Sequence, residues 1–459
     1  MSDTQSTATE RRNTTSNAAL LATDAAHLIH PLHDRHAHES GRVWVKGEGA
    51  TLTDADGREY LDGLSGLWNV TAGHGRRELA DAMHQQATEL AYVSGYTGSS
   101  NRRAIELAER LAGLCYPAIN HFFFTSGGGE ATDSSIKMAR AYWKLRGRPD
   151  KTKVISRIEG YHGVTMAAMS ATGMSAYWPL FEPRLDGFHH IPSPDPYRYV
   201  APEGVSQGLA AANELEQAIH AEGPDTVAMF LAEPVQGAGG VIVPPDDYFP
   251  RIREICDAYD VLLVGDEVIT GFGRTGRLFA LDHWGIVPDI VQFAKAITSG
   301  YFPFGGIGIS DQIAQTLHDD PRAWMHAYTY SAHPVGCAVA LRTLDIIDAE
   351  GFPEQAASKG RYLLEALRAE LADHPQVGDV RGKGLMCAVE LVQERDSKRQ
   401  FPLDDKVGAR VLSEAGKRGL FSRVKRDTFL LAPAIVSSEN ELDRMVEIAG
   451  ASIRTTLGH

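Results

Sequence analysis

Two short apolar runs end in residues that can do chemistry. Residues 261–264, Val-Leu-Leu-Val, lead through a glycine into the acidic pair Asp266-Glu267, and residues 290–294 lead directly into Lys295. Both runs have the length and composition of buried strands. A lysine at the end of such a strand is costly because burial disfavours its charged form, and the same burial lowers its pKa. The pattern indicates an amine that can attack a carbonyl compound and form a Schiff base.

The acid after the other run suits one cofactor in particular. Pyridoxal 5'-phosphate (PLP) is held by a lysine, and it needs an acid beside its ring nitrogen so that the protonated ring withdraws electrons. Lys295 and Asp266 could supply these two groups. Two unrelated surface residues at strand ends are the alternative, and Lys295 alone does not decide between them.

A glycine-rich turn follows an earlier predicted strand. The string FFFTSGGGEATDSS at residues 122–135 places Gly127, Gly128 and Gly129 between a strand and a helix. Backbone N–H groups at a helix N-terminus bind anions when no side chain covers them. The turn is therefore a candidate phosphate site, and a plain tight turn is the alternative.

Four strings carry a resemblance to a known family. EPVQGAGGVIVPP, LLVGDEVITGFGRTG, AKAITSGY and YTYSAHP, in this order, resemble the class III aminotransferases, which are PLP enzymes of fold type I. The likeness runs from about His30 to near the C-terminus and is strongest to the branch that moves amino groups from amines or omega-amino acids to pyruvate. It implies an α/β fold, with a large three-layer αβα domain around a mainly parallel sheet and a smaller α+β domain from the N- and C-terminal parts. It also implies ping-pong transamination between an amine donor and a keto acid acceptor.

The resemblance also implies roles for single residues. Lys295 would hold PLP and then move protons as general base and acid, and Asp266 would pair with the ring nitrogen. Gly128 and Gly129 would bind the phosphate through their backbone. Relatives usually carry Ser-Gly-Ser here, whereas this chain has Gly127 and Gly129 in place of the two hydroxyl residues. The other implied cofactor contacts are Tyr161, Glu233, Val268 and Thr329. The alanine that follows the lysine, where relatives most often have glycine, is a mild departure.

Substrate contacts and assembly follow from the same resemblance. Thr329 matches a segment that enters the neighbouring subunit's site in relatives, which implies a homodimer with shared active sites, possibly a tetramer. Arg423 would bind a substrate carboxylate and swing away for amines that lack one. Ala238 stands where ornithine- and GABA-type relatives have a glutamate that holds this arginine. The implied substrate contacts are Leu32, Trp68, Tyr96, Tyr161 and Arg423.

Two other classes of protein with this fold are also compatible with the sequence. Class III also contains aminomutases, decarboxylating enzymes and racemases, and Arg423 with an apolar pocket favours transamination without excluding them. A regulatory or non-catalytic protein of the same fold is the more remote alternative. A regulator is expected to carry a basic helix-turn-helix arm, which this sequence does not show before the core, and a non-catalytic protein is expected to lose the lysine, which is present here as Lys295.

Composition narrows the class of partner. The chain has 459 residues and a net charge of −14, which argues against nucleic acid as a partner because phosphate binding needs clustered basic residues. Its four cysteines are widely spaced and form no metal-binding pattern. No apolar run approaches the ~18 residues of a membrane helix. The first 18 residues are polar, without the hydrophobic core of an export signal, so we expect a cytoplasmic protein.

Changes of pattern along the chain predict four segments. Residues 1–25 are expected to be a flexible polar tail. Residues 26–84 contain a predicted antiparallel meander that belongs to the small domain. Residues 85–330, where strands and helices alternate, form the predicted PLP-binding domain, and residues 331–459 form a C-terminal α+β domain.

Overall fold

A seven-stranded sheet forms the centre of the computed structural model, which describes residues 16–32, 34, 41–96 and 98–458. Its strand order is β4-β10-β9-β8-β7-β5-β6. Only β10 runs antiparallel to its neighbours, so the prediction of a mainly parallel sheet is confirmed. The strands are β4 (Ile119–Thr125), β5 (Lys153–Arg157), β6 (Phe188–Ile191), β7 (Val227–Ala232), β8 (Leu262–Asp266), β9 (Ile290–Phe293) and β10 (Gly305–Ser310).

Helices cover both faces of this sheet. Every residue of β7, β8 and β9 is buried, as expected for central parallel strands with two covered faces. Alternate residues of β8 enter different cores: Leu262 and Val264 pack with the helix Gly128–Leu145, and Leu263 packs with the helix Tyr248–Ala258. This is the three-layer αβα arrangement that the sequence predicted.

Two four-stranded sheets flank the central one. The first has the order β1-β2-β3-β13 and joins the predicted N-terminal meander to a strand from the C-terminal part; the second has the order β11-β12-β15-β14. Both ends of the chain therefore build the smaller α+β part. The strands are β1 (Trp44–Glu48), β2 (Thr51–Asp54), β3 (Glu59–Asp62), β11 (Val377–Gly382), β12 (Cys387–Leu391), β13 (Leu420–Phe421), β14 (Arg423–Lys425) and β15 (Thr428–Leu431).

The helices are numbered here in chain order. They are α1 (Asn17–His27), α2 (Arg77–Glu89), α3 (Arg102–Ala112), α4 (Gly128–Leu145), α5 (Met166–Ala171), α6 (Gln207–Glu222), α7 (Tyr248–Ala258), α8 (Asp311–His318), α9 (Pro334–Glu350), α10 (Phe352–Glu370), α11 (Val407–Lys417) and α12 (Glu439–Leu457). Single helical turns lie at Ser65–Trp68, Ser175–Tyr177, Pro179–Phe181, Ala280–Trp284, Lys295–Thr298 and Leu403–Asp405.

The N-terminal segment differs from its prediction. The sequence predicted a flexible tail over residues 1–25, but α1 begins at Asn17, and residues 1–15 lie outside the described part of the chain. The side chain of Ser16 accepts a hydrogen bond from the backbone N–H of Ala19, and the helix that follows is rich in alanine and leucine. An N-cap and strong helix formers outweigh the polar composition on which the prediction rested. The proposed domain boundaries at residues 84 and 330 stay predictions.

Candidate active site

A cavity of about 400 Å³ opens at the carboxyl edge of the central sheet. The segments that line it follow β4, β5, β7, β8 and β9, all of which end at this edge. This is where ligands bind in open parallel sheets. The lining residues include, from these segments, Gly127, Gly128, Gly129, Tyr161, His162, Gly163, Thr165, Glu233, Asp266, Val268, Ile269 and Lys295.

Lys295 lies in the cavity wall directly after β9. It begins a single 3₁₀ turn and has a φ of 48°, a left-handed conformation that is uncommon for a residue with a side chain. Burial lowers the pKa of its amine, and Arg423 acts in the same direction, while the negative charges of Asp266 and Glu233 work against this. A lowered pKa raises the fraction of neutral, nucleophilic amine at physiological pH.

Asp266 ends β8 and is 3% exposed. Its carboxylate accepts hydrogen bonds from His162 Nδ1 at 2.7 Å and from the backbone N–H of Val268 at 3.1 Å. These two donors fix the position of the carboxylate in the wall of the cavity. The structure thus supplies the carboxylate that a protonated ring nitrogen requires.

His162 is the functional residue that the sequence reasoning passed over. It is 3% exposed and directly follows Tyr161, and of these two residues the family resemblance implies a role only for the tyrosine. Its backbone N–H donates to the Thr172 hydroxyl at 2.9 Å, which helps to fix the imidazole beside Asp266. A polar residue next to the motif tyrosine was the one available signal, and nothing in the sequence indicated Asp266 as its partner.

Glu233 follows β7 and ties two segments of the wall together. One carboxylate oxygen accepts from the backbone N–H of Tyr161 and the other from that of Gly237, both at 2.9 Å. Burial raises the pKa of Glu233, and the nearby Asp266 adds to this, whereas His162 and the two N–H donors oppose it. Glu233 therefore fixes the backbone of Tyr161 and also lies close enough to Lys295 for its charge to act on the amine.

The glycine turn meets the cavity where α4 begins. A Cβ atom on Gly128 would lie 3.1 Å from Val268 Cγ1, and one on Gly163 would lie 2.8 Å from the Cα of Gly129. Gly163 also has a φ of 122°, which side chains rarely adopt. A Cβ on Gly127, by contrast, would have no heavy atom within 4 Å. Close packing thus requires glycine at 163 and favours it at 128, where Val268 would have to shift, whereas Gly127 leaves room for a side chain.

Arg423 lies close to this site without lining the cavity. It begins β14, and its positive charge opposes the effect of burial, which raises the pKa of Tyr161. No carboxylate of the described residues forms an ion pair or hydrogen bond with its guanidinium. Ala238, in the loop after β7, is partly buried and carries no acid that could hold the arginine.

Trp68 lies behind the cavity wall and does not line it. It is 2% exposed and belongs to an apolar cluster with Ile269, which does line the cavity. Its neighbour Asn69 is the lining residue at this point. Trp68 thus packs against the wall of the cavity, and its contact with substrate stays a prediction.

Three predicted residues do not join the cavity of their own chain. Leu32 is 64% exposed and Tyr96 is 47% exposed, and neither is among the lining residues. Thr329 is also exposed, and its backbone carbonyl accepts a hydrogen bond from the Tyr92 hydroxyl at 2.7 Å. The loops that carry Tyr96 and Thr329 are thus joined to each other on the surface through Tyr92.

Neither a metal-binding cluster nor a membrane-spanning helix occurs among the described residues. No group of three or more His, Cys, Asp and Glu side chains among them could hold a metal ion. No helix in the same part of the chain is long and apolar enough to cross a membrane.

Comparisons with known proteins identify the family. The sequence matches the family model described as aminotransferase class-III over residues 33–452. The chain belongs to the class-III aminotransferases. It is 40% identical to a diaminobutyrate–2-oxoglutarate transaminase from Halomonas elongata over 420 residues, which are 90% of each chain. It is 39% identical to a putrescine–pyruvate aminotransferase from Pseudomonas aeruginosa over 428 residues, which are 92% of this chain and 93% of that one.

A solved structure extends this likeness to three dimensions. A thermostable (S)-enantioselective omega-transaminase from Thermomicrobium roseum superposes with a TM-score of 0.94 at 48% sequence identity, covering 97% of this chain and 100% of that one. At this similarity the resemblance covers the whole fold, including both flanking sheets, and the fold type I architecture that the sequence predicted is confirmed.

Enzymes of the class-III aminotransferase family depend on PLP, and the cavity fits this cofactor. It combines a lysine amine, a buried carboxylate and a glycine turn at the start of an 18-residue helix, the three groups that PLP requires. Val268 and Tyr161 also line the cavity and offer an aliphatic and an aromatic side chain to a flat ring. The donor set is therefore consistent with a ring nitrogen at Asp266, a phosphate at Gly128 and Gly129, and an aldehyde carbon at Lys295.

Proposed function

We propose that this class-III aminotransferase moves an amino group from an amine or omega-amino acid to pyruvate. The observation that carries the proposal is Arg423, which lies near Lys295 and Tyr161 without an acidic partner among the described residues. The putrescine–pyruvate aminotransferase at 39% identity adds support for an amine donor and this acceptor.

The chain's own residues divide the work of such a reaction. Bound PLP would withdraw electrons from the substrate carbon and so make its proton acidic. Lys295 would remove and return that proton, because its buried amine has a lowered pKa and lies in the cavity wall. Asp266, held by His162 and the Val268 N–H, would keep its charge beside the ring nitrogen. Glu233 would hold the Tyr161 backbone so that the aromatic ring forms one wall of the site.

One pocket must serve two kinds of substrate. Pyruvate brings a carboxylate, whereas a simple amine brings an apolar or neutral group to the same place. A fixed arginine would be left buried and unpaired with the amine, at a cost of several kcal/mol. Arg423 has a long side chain without an acid to hold it, and Ala238 provides none, so it can turn towards pyruvate and away from an amine.

The surface loops support a shared site in a homodimer. Thr329 and Tyr96 are exposed in the single chain although both correspond to site residues of related enzymes. Exposed apolar side chains lie along the same two loops, among them Met325 at 87% and Tyr330 at 60% exposure. In the proposed dimer these loops lie against the partner subunit, and Thr329 donates its hydroxyl to the phosphate in the partner's site.

The cellular location is proposed on the cysteines. All four are free, and three of them are buried. Free thiols are typical of reducing compartments, which supports a cytoplasmic enzyme.

Substrate screening tests the proposed function. The purified protein with PLP would be assayed with diamines, omega-amino acids and arylalkyl amines, with pyruvate or 2-oxoglutarate as acceptor, while alanine and glutamate are quantified. We expect alanine from at least one amine class and much less glutamate. Glutamate as the main product would overturn the assignment of pyruvate and leave the aminotransferase activity intact.

A further inference from the structure

Close to Arg423, an ion pair joins the C-terminal sheet to the segment that follows β5 of the central sheet. Lys425, the last residue of β14, forms an ion pair with Glu159 with an Nζ–Oε1 distance of 2.7 Å. Their side chains are 28% and 32% exposed, and neither has another ion-pair partner among the described residues. Both line a second cavity of about 370 Å³ between the central sheet and the C-terminal sheet.

Each residue of the ion pair lies two positions from a residue at the active site. Arg423 and Lys425 are two positions apart on β14, so their side chains project from the same face of the strand. In the segment that follows β5, Glu159 and Tyr161 are also two positions apart. Lys425 reaches Glu159, while the charge of Arg423 acts on Tyr161. The strand therefore contacts the segment after β5 at Glu159, and the charge of Arg423 acts on that segment two residues further on, at Tyr161.

Glu159 is itself held firmly in place. Its φ of 63° is unusual for a glutamate, and its backbone N–H donates to the Gly173 carbonyl at 3.1 Å. A Cβ on Gly239 would lie 2.4 Å from the Glu159 carbonyl oxygen, so the loop after β7 packs directly on this residue. Because its surroundings enforce this strained conformation, Glu159 has a fixed position from which to bind Lys425 of the C-terminal sheet.

We propose that the Lys425–Glu159 ion pair is a positioning contact: it holds the strand that carries Arg423 in the place from which the arginine binds the substrate carboxylate. Among the described residues β14 is an edge strand that pairs only with β15, so its other edge has no strand partner in that part of the chain. The ion pair supplies an attachment to the central domain two residues from the arginine. Arg423 can then move its side chain while the strand that carries it stays attached beside Glu159. The inference rests on the proposed role of Arg423 in binding the carboxylate of pyruvate.

Lys425→Met tests this with a side chain of similar length and no charge. We expect the KM for pyruvate to rise about fivefold, as for loss of one partly buried ion pair worth about 1 kcal/mol. The rate of the half-reaction with a carboxylate-free arylethylamine should stay within about twofold, since that substrate does not use Arg423. Glu159→Gln should give the same split, and Lys425→Arg should retain the wild-type KM.

A double variant and a matched control separate positioning from general destabilisation. Glu159→Gln combined with Lys425→Met should be no worse than either single change, because both remove the same contact. Lys153→Met breaks a comparable ion pair with Glu222, at 3.0 Å and with 29% and 24% exposure, at the opposite end of β5. It should leave the KM for pyruvate unchanged even where it lowers the Tm as much.

The outcomes distinguish this inference from the proposed function. If Arg423→Ala raises the KM for pyruvate and Lys425→Met does not, the positioning role is wrong and the proposed function stands. Additive effects in the double variant, or equal losses in both half-reactions, would also overturn the positioning role. If Arg423→Ala itself leaves the KM for pyruvate unchanged, Arg423 does not bind the carboxylate as proposed, and the positioning role of the ion pair is then also wrong.

Discussion

Replacing Gly127 with serine should tighten the binding of PLP. Gly127 lines the cavity immediately before α4, where relatives usually carry a hydroxyl residue. Its φ of 173° is ordinary extended backbone, and a Cβ there would have no heavy atom within 4 Å. A serine therefore fits without strain, and its hydroxyl can donate to a phosphate at the helix N-terminus.

The size of the effect follows from this geometry. A hydrogen bond to a charged group contributes about 1.5–3 kcal/mol. Ordering the new side chain offsets part of this, so we expect a net gain of about 1–2 kcal/mol, or a roughly five- to thirtyfold lower Kd. Gly128→Ser should do the opposite, because its Cβ would lie 3.1 Å from Val268 and displace the wall of the site.

The assay is an equilibrium titration of the apoprotein with PLP, followed by absorbance and intrinsic fluorescence, so that it does not depend on turnover. Gly127→Ala is the matched control, since it adds the Cβ without the hydroxyl. Serine at this N-cap position could instead accept from the N–H of Glu130 and stabilise α4. A higher Tm of the apoprotein with an unchanged Kd would indicate that role, and a Kd equal to that of Gly127→Ala would refute the predicted phosphate contact.

Further predictions concern the catalytic groups and the proposed dimer. Asp266→Asn should still bind PLP but lower kcat on the order of 10², and a change of less than twofold in single-turnover kinetics would count against its role. Arg423→Ala should raise the KM for pyruvate and for β-alanine-type donors strongly and spare deamination of an arylethylamine; rapid-mixing absorbance measures the two half-reactions, and equal losses in both would mean a structural role. Since burial lowers the pKa of Lys295, the Lys295→Met apoprotein should have a higher Tm than the wild type at pH 7. That gap should close as the pH rises through the lowered pKa towards the ordinary lysine value, because the wild-type amine is then neutral in both states; thermal melts from pH 7 to 10 check this, and a widening gap would contradict it. Mixed Lys295→Ala and Thr329→Ala subunits should regain activity if sites are shared, whereas an active monomer in sedimentation would exclude sharing.

The central strands could be predicted because their signal is local. Short apolar runs such as residues 261–264 have one stable place, the middle of a covered sheet, and the residue at the end of each run is then carried to the carboxyl edge. Lys295 and Asp266 meet there for this reason. Composition was a poorer guide for α1, where an N-cap serine and strong helix formers outweighed the polar character of the segment.

Contacts between distant segments could not be predicted in the same way. The hydrogen bond from His162 to Asp266 depends on the register of β5 beside β7 and β8, and no pattern within the chain encodes that spacing. The Lys425–Glu159 pair depends on how the edge of the C-terminal sheet meets the central one. Leu32, Tyr96 and Thr329 lie on the surface of the single chain, and their contacts in the proposed dimer would come from a second subunit, which the pattern of one chain does not describe.

One measurement tests the assignment of amino transfer most directly. The PLP-loaded protein would be mixed with excess arylethylamine in the absence of any keto acid, and the carbonyl product would be counted per active site. We predict one equivalent of product and then no more, followed by one equivalent of alanine per site when pyruvate is added, and neither product from Lys295→Ala. Continued turnover without pyruvate, or release of carbon dioxide or ammonia in place of alanine, would contradict transamination.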